Sequence, residues 1–364
     1  MMSERAILIT GNGFDLAHGL KTSYMDFVHR VEEAFAKPLE RRSEFDIRLT
    51  QLCNVNGFFR HFHFAMPDDE TWNEFEEEME VIVKALEHFL AVIAEEQKDI
   101  EFDPASFNVY GGTFTYADLQ VYKHFARIFE QIYDDPSGGL FKIRQTYLTQ
   151  YKLLNKKAFL AEVYRELETF TEALDLYFTV CAGTDSVKRQ LPLFNAIAPE
   201  YVINFNYTDT AQIYGIPEDR IYYAKGRAGF AERAAALHPA AAHTNLVAGT
   251  PDKSDTRTDW LQMQNDFQRL MNFIGDIPLS WLEEADGEEE ESAGTSLVTY
   301  WYGYSFPEGD AAEIRRLEEA SVKMVIYYLD PKDFARKVLS LVKIFGKKPV
   351  TAAMQAGRFV FEQA

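Results

Sequence analysis

Cysteine is scarce: Cys53 and Cys181 are the only two in 364 residues. Two thiols so far apart make neither a disulfide framework nor a cysteine zinc site, which points to a reducing, cytoplasmic setting. Long apolar runs are missing too. No stretch approaches the roughly 18 residues that a membrane-spanning helix needs, and the run Ala6–Ile9 meets a glycine turn too early for a secretion signal. A soluble protein with no membrane partner is expected. Positive charge is in the minority, with 37 Lys and Arg against 57 Asp and Glu and a formal charge of -20. That balance repels a phosphate backbone, and no local basic groove offsets it, so nucleic acid is not expected as a partner. No internal repeat of the solenoid kind is found.

What is present is apolar and aromatic mass, 47% and 14% of the chain. That is enough for one large core or two moderate ones. Ala6–Thr10 reads as a short buried strand bounded by glycine. From about Tyr24 to Ile197 the periodicity is helical. Trp72, Phe75, Met79, Ile82, Leu86, Phe89 and Ile93 step by three and four along one face. Thr71 with Glu74 makes a capping-box pattern ahead of them, and Glu76, Glu77 and Glu78 suit the positive end of a helix dipole. Leu119, Tyr122, Phe125, Phe129 and Ile132 give another helical face, and Leu160, Val163, Leu167, Phe170, Leu174 and Phe178 a third. These stripes read as core packing rather than as a base-stacking surface.

After Pro199 short apolar runs alternate with helical ones. Tyr201–Asn206, Ile221–Ala224, Asn245–Ala248, Leu297–Tyr304 and Val322–Leu329 read as strands; Asp209–Tyr214, Asp310–Ala320 and Asp333–Phe345 read as helices. Such alternation argues for crossover units and a mainly parallel sheet. The expected fold is α/β. A discontinuous α/β domain of residues 1–25 plus 198–345 is interrupted by a large helical insertion at 26–197 and followed by a C-terminal tail at 346–364. The acidic loop 283–291 reads as a solvated charge run rather than a calcium site.

Ligands of open parallel sheets bind beyond the carboxyl ends of the strands. That singles out Gly11-Asn12-Gly13-Phe14-Asp15, Asn204–Asp209, Lys225-Gly226 and Gly303–Asp310. Glycines at 11 and 13 let the backbone approach a bulky anion with the next amides facing it, or they serve a purely structural tight turn. The dinucleotide fingerprint needs its third glycine at position 16, where Leu16 stands; the glycine comes at 19. Asn206 carries a donor and an acceptor that suit ribose hydroxyls or a water, or it caps the helix that starts near Asp209. His18 either faces the ligand or packs in the turn, and His238 and His243 flank an Ala-rich loop from which a base could enter. His61 and His63 with Cys53 make no metal site, because residues two apart share a face of a strand and not of the helix expected there. No metal is expected.

GNGFDLAHGLKTSYMDF, a helical block containing TWNEFE, INFNYTDT, a glycine-ended strand and YGYSFPEGD follow one another in this chain. In that order they resemble the bacteriophage abortive-infection AbiH family, over nearly the whole chain to about residue 335. That family in turn resembles the sirtuin-like NAD-binding fold. The resemblance implies phage defence by a domain that binds NAD or a related nucleotide and hydrolyses its N-glycosidic bond. A non-catalytic nucleotide-sensing or protein-interaction module is the alternative. By position, the resemblance puts Gly11, Gly13 and Asp15 along the phosphates and nicotinamide ribose, and Asn206 at the ribose or the attacking water. It puts Ser305 and Asp310 on the adenosine side, with Asn12, Phe14, Tyr207, Gly226 and Gly303 completing the cofactor-binding set. Two departures stand out. Lys225 precedes Gly226 where the relatives carry histidine, and Tyr304 stands where a histidine often precedes the serine. The missing histidine is the expected general base; Lys225 replaces it only if burial brings its pKa towards neutrality, and it then joins Asn206 and Asp15 as a catalytic residue. The helical insertion is left as a lid, a sensor or the interface of a homo-oligomer.

Overall fold

Ile7, Leu8 and Ile9 have no exposed surface, as a strand covered on both faces requires. They lie in β1 (Glu4–Thr10) of a computed structural model. The structure describes residues 4–65, 72–96, 107–108, 114–135, 138–230, 244–250, 258–272, 274–282 and 296–364. Along the chain follow α1 (Asn12–Ala17), α2 (Tyr24–Ala36), α3 (Glu44–Cys53), α4 (Gly57–Ala65), α5 (Trp72–Glu96), β2 (Phe107–Asn108) and α6 (Tyr116–His124). Next come β3 (Phe129–Asp135), β4 (Gly138–Ile143), α7 (Lys156–Cys181), α8 (Pro192–Ile197), β5 (Tyr201–Asn204) and β6 (Ile221–Tyr223). The chain ends with α9 (Asn265–Met271), α10 (Leu279–Leu282), β7 (Ser296–Tyr302), α11 (Ala311–Ala320), β8 (Lys323–Tyr328), α12 (Pro331–Phe345), α13 (Lys347–Gln355) and β9 (Phe359–Gln363). These elements fall into two compact units, Met1–Ser23 with Tyr177–Val247 and Gln268–Ala364, and Tyr24–Leu176 with Ala248–Phe267.

In the first unit six strands form one parallel sheet in the order β6-β5-β1-β7-β8-β9. Counted within the sheet this is the doubly wound order 3-2-1-4-5-6, which reverses direction between β1 and β7. Thr10 stands opposite both Asn204 and Tyr302, so β5, β1 and β7 finish level. Successive side chains point to opposite faces. Ile7, Ile9, Ile203, Trp301 and Ile326 meet Ile314 and Leu317 of α11 and Leu341 and Ile344 of α12 on one face. Leu8, Val202, Val298 and Val325 meet Phe14 of α1 and Phe194 of α8 on the other.

Two stretches differ from the sequence expectation. Beyond residue 345 the chain is no tail: it forms α13 and then β9, which adds to β8 from Met324↔Phe359 to Tyr328↔Gln363. Only Phe359-Val360-Phe361 is apolar before Glu362 and Gln363 turn outward, so an edge strand of this kind carries little pattern. Asn245–Ala248 is irregular rather than a strand, and two of its carbonyls are taken by side chains. Tyr207 Oη donates to Val247 O at 2.8 Å and Asn272 Nδ2 to Leu246 O at 3.3 Å.

The second unit holds α2 to α6, most of α7, and a small antiparallel sheet in the order β2-β4-β3. The expected aromatic stripes are its core: the Phe62 ring stacks on Phe75 at 4.4 Å and lies 5.4 Å from Phe170. The helical face through Leu119, Tyr122 and Phe125 stops short, however. Phe129 and Ile132 belong to β3, although they continue the helical spacing, and Phe129 pairs with Ile143 of β4. Turn formers from Asp134 to Gly139 mark a hairpin there. Glu166 of α7 accepts the Gly57 N–H with Oε2, its Oε1 is buried without a partner, and burial pushes its carboxyl up to about 7. Thr71, His238, His243 and the acidic loop 283–291 lie outside the described residues.

Candidate functional site at the carboxyl edge of the sheet

The glycine turn after β1 sits on the end of β7. Gly11 N–H donates to Tyr302 O at 3.1 Å, Gly13 N–H to Gly303 O at 2.9 Å, and Phe14 N–H to Gly11 O at 2.8 Å. A Cβ on Gly11 would stand 2.6 Å from Gly303 O, and one on Gly13 2.7 Å from Gly303 Cα. Gly303 has φ +64 and leaves only 2.1 Å between a Cβ and Phe14 N. The glycines therefore bring two backbones into contact at the point where the sheet reverses. The amides of Gly11, Gly13 and Phe14 are donated inside the protein rather than turned towards an anion. Asn12 Oδ1 accepts from Thr22 Oγ1 at 2.7 Å, and the Phe14 ring is part of the core.

Beside this turn lies a buried polar cluster that joins the first motif to the second. Asn204 Oδ1 accepts from Thr10 Oγ1 and from Asn206 N–H, each at 2.9 Å, while its Nδ2 donates to Thr208 O at 2.8 Å. Asn206 Nδ2 donates to Gly11 O at 2.9 Å and so ties β5 to the glycine turn. Among the described residues the Asn206 side-chain oxygen has no hydrogen-bond partner beside those bonds, and the side chain does not cap the 3-10 turn Thr210–Tyr214. Thr208 Oγ1 donates to Asp15 Oδ2 at 2.6 Å. Asp15 is 1% exposed, and among the described residues its Oδ1 has no hydrogen-bond partner. Burial pushes this carboxyl up to about 6, with Thr208, Thr210 and Asn206 pulling the other way. Sequence reasoning missed Thr10 and Thr210, and held Asn204 and Thr208 only as members of the segment Asn204–Asp209. The spacing of Asn204, Asn206, Thr208 and Thr210 at every second position is the signal that could have grouped them.

A second group gathers over the same edge. Lys225 Nζ lies 2.9 Å from Asp310 Oδ1, and Tyr304 Oη donates to Asp310 Oδ2 at 2.6 Å. In this pairing the Lys225 side chain serves as a donor to a carboxylate. Lys337 Nζ, 4% exposed at the residue, donates to Tyr304 O at 2.7 Å. Burial lowers the pKa of Lys337 against the opposing pull of Asp333. Two residues past Tyr304, buried Phe306 takes φ 59, a left-handed value that costs a non-glycine residue energy. Half-buried Ser305 sits between them. Gly226 has φ +85, and a Cβ there would stand 2.1 Å from Asn245 O. Arg227, which the sequence pattern did not single out, forks onto Asp209 at 2.5 and 2.7 Å, and Tyr223 Oη joins Asp209 at 3.0 Å.

His18 is a packing residue. Its Nδ1 meets Phe14 O at 2.6 Å and its Nε2 meets Tyr214 Oη at 2.6 Å, which itself takes Leu191 N–H at 2.8 Å. That order of donors fits a neutral ring protonated at Nδ1, and burial lowers its pKa. His61 and His63 lie on α4 and reach Glu78 and Glu32 respectively. Among the described residues no group of three or more His, Cys, Asp or Glu is placed to hold a metal ion.

A parallel sheet in the order 3-2-1-4-5-6, with polar side chains gathered where it reverses, places the first unit among doubly wound α/β folds. The family model described as bacteriophage abortive infection AbiH matches residues 7–328, and the chain belongs to that family. No curated protein and no solved structure matches the chain. Among the described residues no helix is long and apolar enough to cross a membrane.

Proposed function

We propose that this abortive-infection protein is cytoplasmic, that its α/β unit binds NAD or a related nucleotide at the carboxyl edge of the sheet, and that it hydrolyses the N-glycosidic bond. The observation that supports this most is the buried Asp15. An acid titrating at about 6, with one oxygen left without a partner, sits where sheets of this order take dinucleotides. The fit is with the strand ends as a group and not with the glycine amides, which are already donated. The residues that would meet NAD are Asn206 through its free carbonyl oxygen, Tyr207, Ser305 and the Lys225 group. When bound, NAD supplies a bond whose cleavage develops positive charge on the ribose. A carboxylate and an amide carbonyl fixed in a water-poor site stabilise such charge without reorganising. Asp15 exchanges a proton near neutral pH. The Asn206 carbonyl oxygen accepts from ribose hydroxyls or a water. In this reading the second unit is an insertion that senses infection or joins copies of the chain.

The ion pair on Lys225 favours a second reading, a nucleotide sensor without chemistry, because the position of the expected base holds a paired cation. One experiment separates them. Purified protein is incubated with NAD while free nicotinamide is followed by chromatography and binding by calorimetry. Hydrolysis predicts release that falls at least about 100-fold in Asp15→Asn with binding retained. Binding without release selects the sensor, and neither binding nor release rejects both.

A further inference from the structure

We infer that Lys225 and Tyr304 form a phosphate subsite on the carboxyl edge of the sheet, and that Asp310 fills it as an internal anion until a nucleotide displaces it. The inference rests on the nucleotide reading above and names the residues that take the phosphates. Lys225 follows β6, whereas Tyr304 and Asp310 follow β7, and β5 and β1 lie between those strands. Three strand spacings amount to roughly 14 Å. Lys225 Nζ nevertheless stands 2.9 Å from Asp310 Oδ1. The contact therefore reaches across the ends of β5 and β1, where sheets of this order hold their ligands. The rings of Phe205 and Tyr304, with centroids 4.7 Å apart, cross the end of β1 in the same way.

The chemistry of the contact suits a phosphate. The two oxygens of one carboxylate are met by an ammonium and, at 2.6 Å, by the Tyr304 hydroxyl. Convergent donors, one of them cationic, are what non-bridging phosphate oxygens require. The side chains of Lys225 and Asp310 are only 13% and 8% exposed, so the ammonium meets its anion largely out of water, where an anion of matching geometry is needed in that place. A nucleotide phosphate is such an anion. Asp310 precedes α11 without capping it through its side chain, so its departure breaks no cap bond.

Calorimetry with ADP-ribose, inorganic pyrophosphate and adenosine tests this on the full chain. Removing the internal competitor in Asp310→Asn tightens ADP-ribose binding roughly tenfold, since the competent state no longer has to be released. Lys225→Gln weakens it below wild type, the double variant shows no gain, and adenosine, which lacks phosphate, binds all four proteins alike. Unchanged or weaker ADP-ribose binding by a folded Asp310→Asn overturns the inference; Asp310→Ser carries the same expectation should Asn fail to fold. If no protein binds ADP-ribose or adenosine, the nucleotide reading fails by itself. Pyrophosphate then decides the subsite: binding by Asp310→Asn and not by the double variant upholds it, and no binding by Asp310→Asn overturns it.

Discussion

Asp15 carries an energetic cost that depends on pH. Its carboxyl moves from 3.8 to about 6 on folding, so between those values the folded chain holds a proton that the unfolded chain has lost. The contribution of Asp15 to stability is then most favourable below pH 3.8 and declines as pH rises towards and through 6, by roughly 3 kcal/mol in all. Asp15→Asn removes that slope. We expect the variant to match wild type near pH 4 and to exceed it by ~1–3 kcal/mol at pH 7.5, read from urea unfolding across the pH range. Glu166, raised from 4.5 to about 7, has the same sign in the second unit. Glu166→Gln should therefore open its gap over wild type later, between about pH 5 and 7. A constant gap across pH for either variant would remove burial as the cause.

At the scale of elements, the turn after β1 and the end of β7 fit together only as glycine. Gly303→Ala combines a left-handed φ with a Cβ at 2.1 Å from the Phe14 amide, an atom of the backbone that cannot step aside. Gly215 has a similar φ of +73 and open space around it. We expect Gly215→Ala to cost about 1 kcal/mol from backbone conformation alone and Gly303→Ala at least 3 kcal/mol or the fold itself, measured by thermal unfolding. Strand and helix were legible in the sequence where burial leaves a clear mark: the unbroken apolar run Ile7, Leu8 and Ile9 for β1, or the helical period from Phe75 to Ile93 for α5. They were hidden where the period was ambiguous, as at Phe129 and Ile132, which sit at helical spacing inside β3. The four strand ends were legible from topology alone. That Gly11 and Gly13 touch Gly303, and that Lys225 meets Asp310, was not, because such pairings depend on tertiary geometry that no local pattern encodes.

For the whole molecule, β9 closes one edge of the sheet with chain from the far C-terminus. Deleting residues 356–364 strips β8 of one of its two partners and uncovers Met324, which is 1% exposed with β9 in place. The shortened chain should melt lower and form aggregates through the bared edge, seen by light scattering; a monodisperse product with an unchanged melt would contradict this role for β9. The formal charge of -20 makes a second expectation, that duplex DNA at physiological salt leaves the protein unshifted on a gel. The central strand has a further consequence, in the timing of synthesis. β1 leaves the ribosome before its two neighbours: Thr10 waits for Asn204, 194 residues later, and then for Tyr302. At roughly 5–20 residues per second that first interval alone lasts about 10–40 s. A nascent chain stopped before β7 lacks both Gly303 and Asp310, so translation that is cut short yields no partial version of the site. The residues of the site therefore come together only after β7 and the segment that runs on to Asp310 have been made.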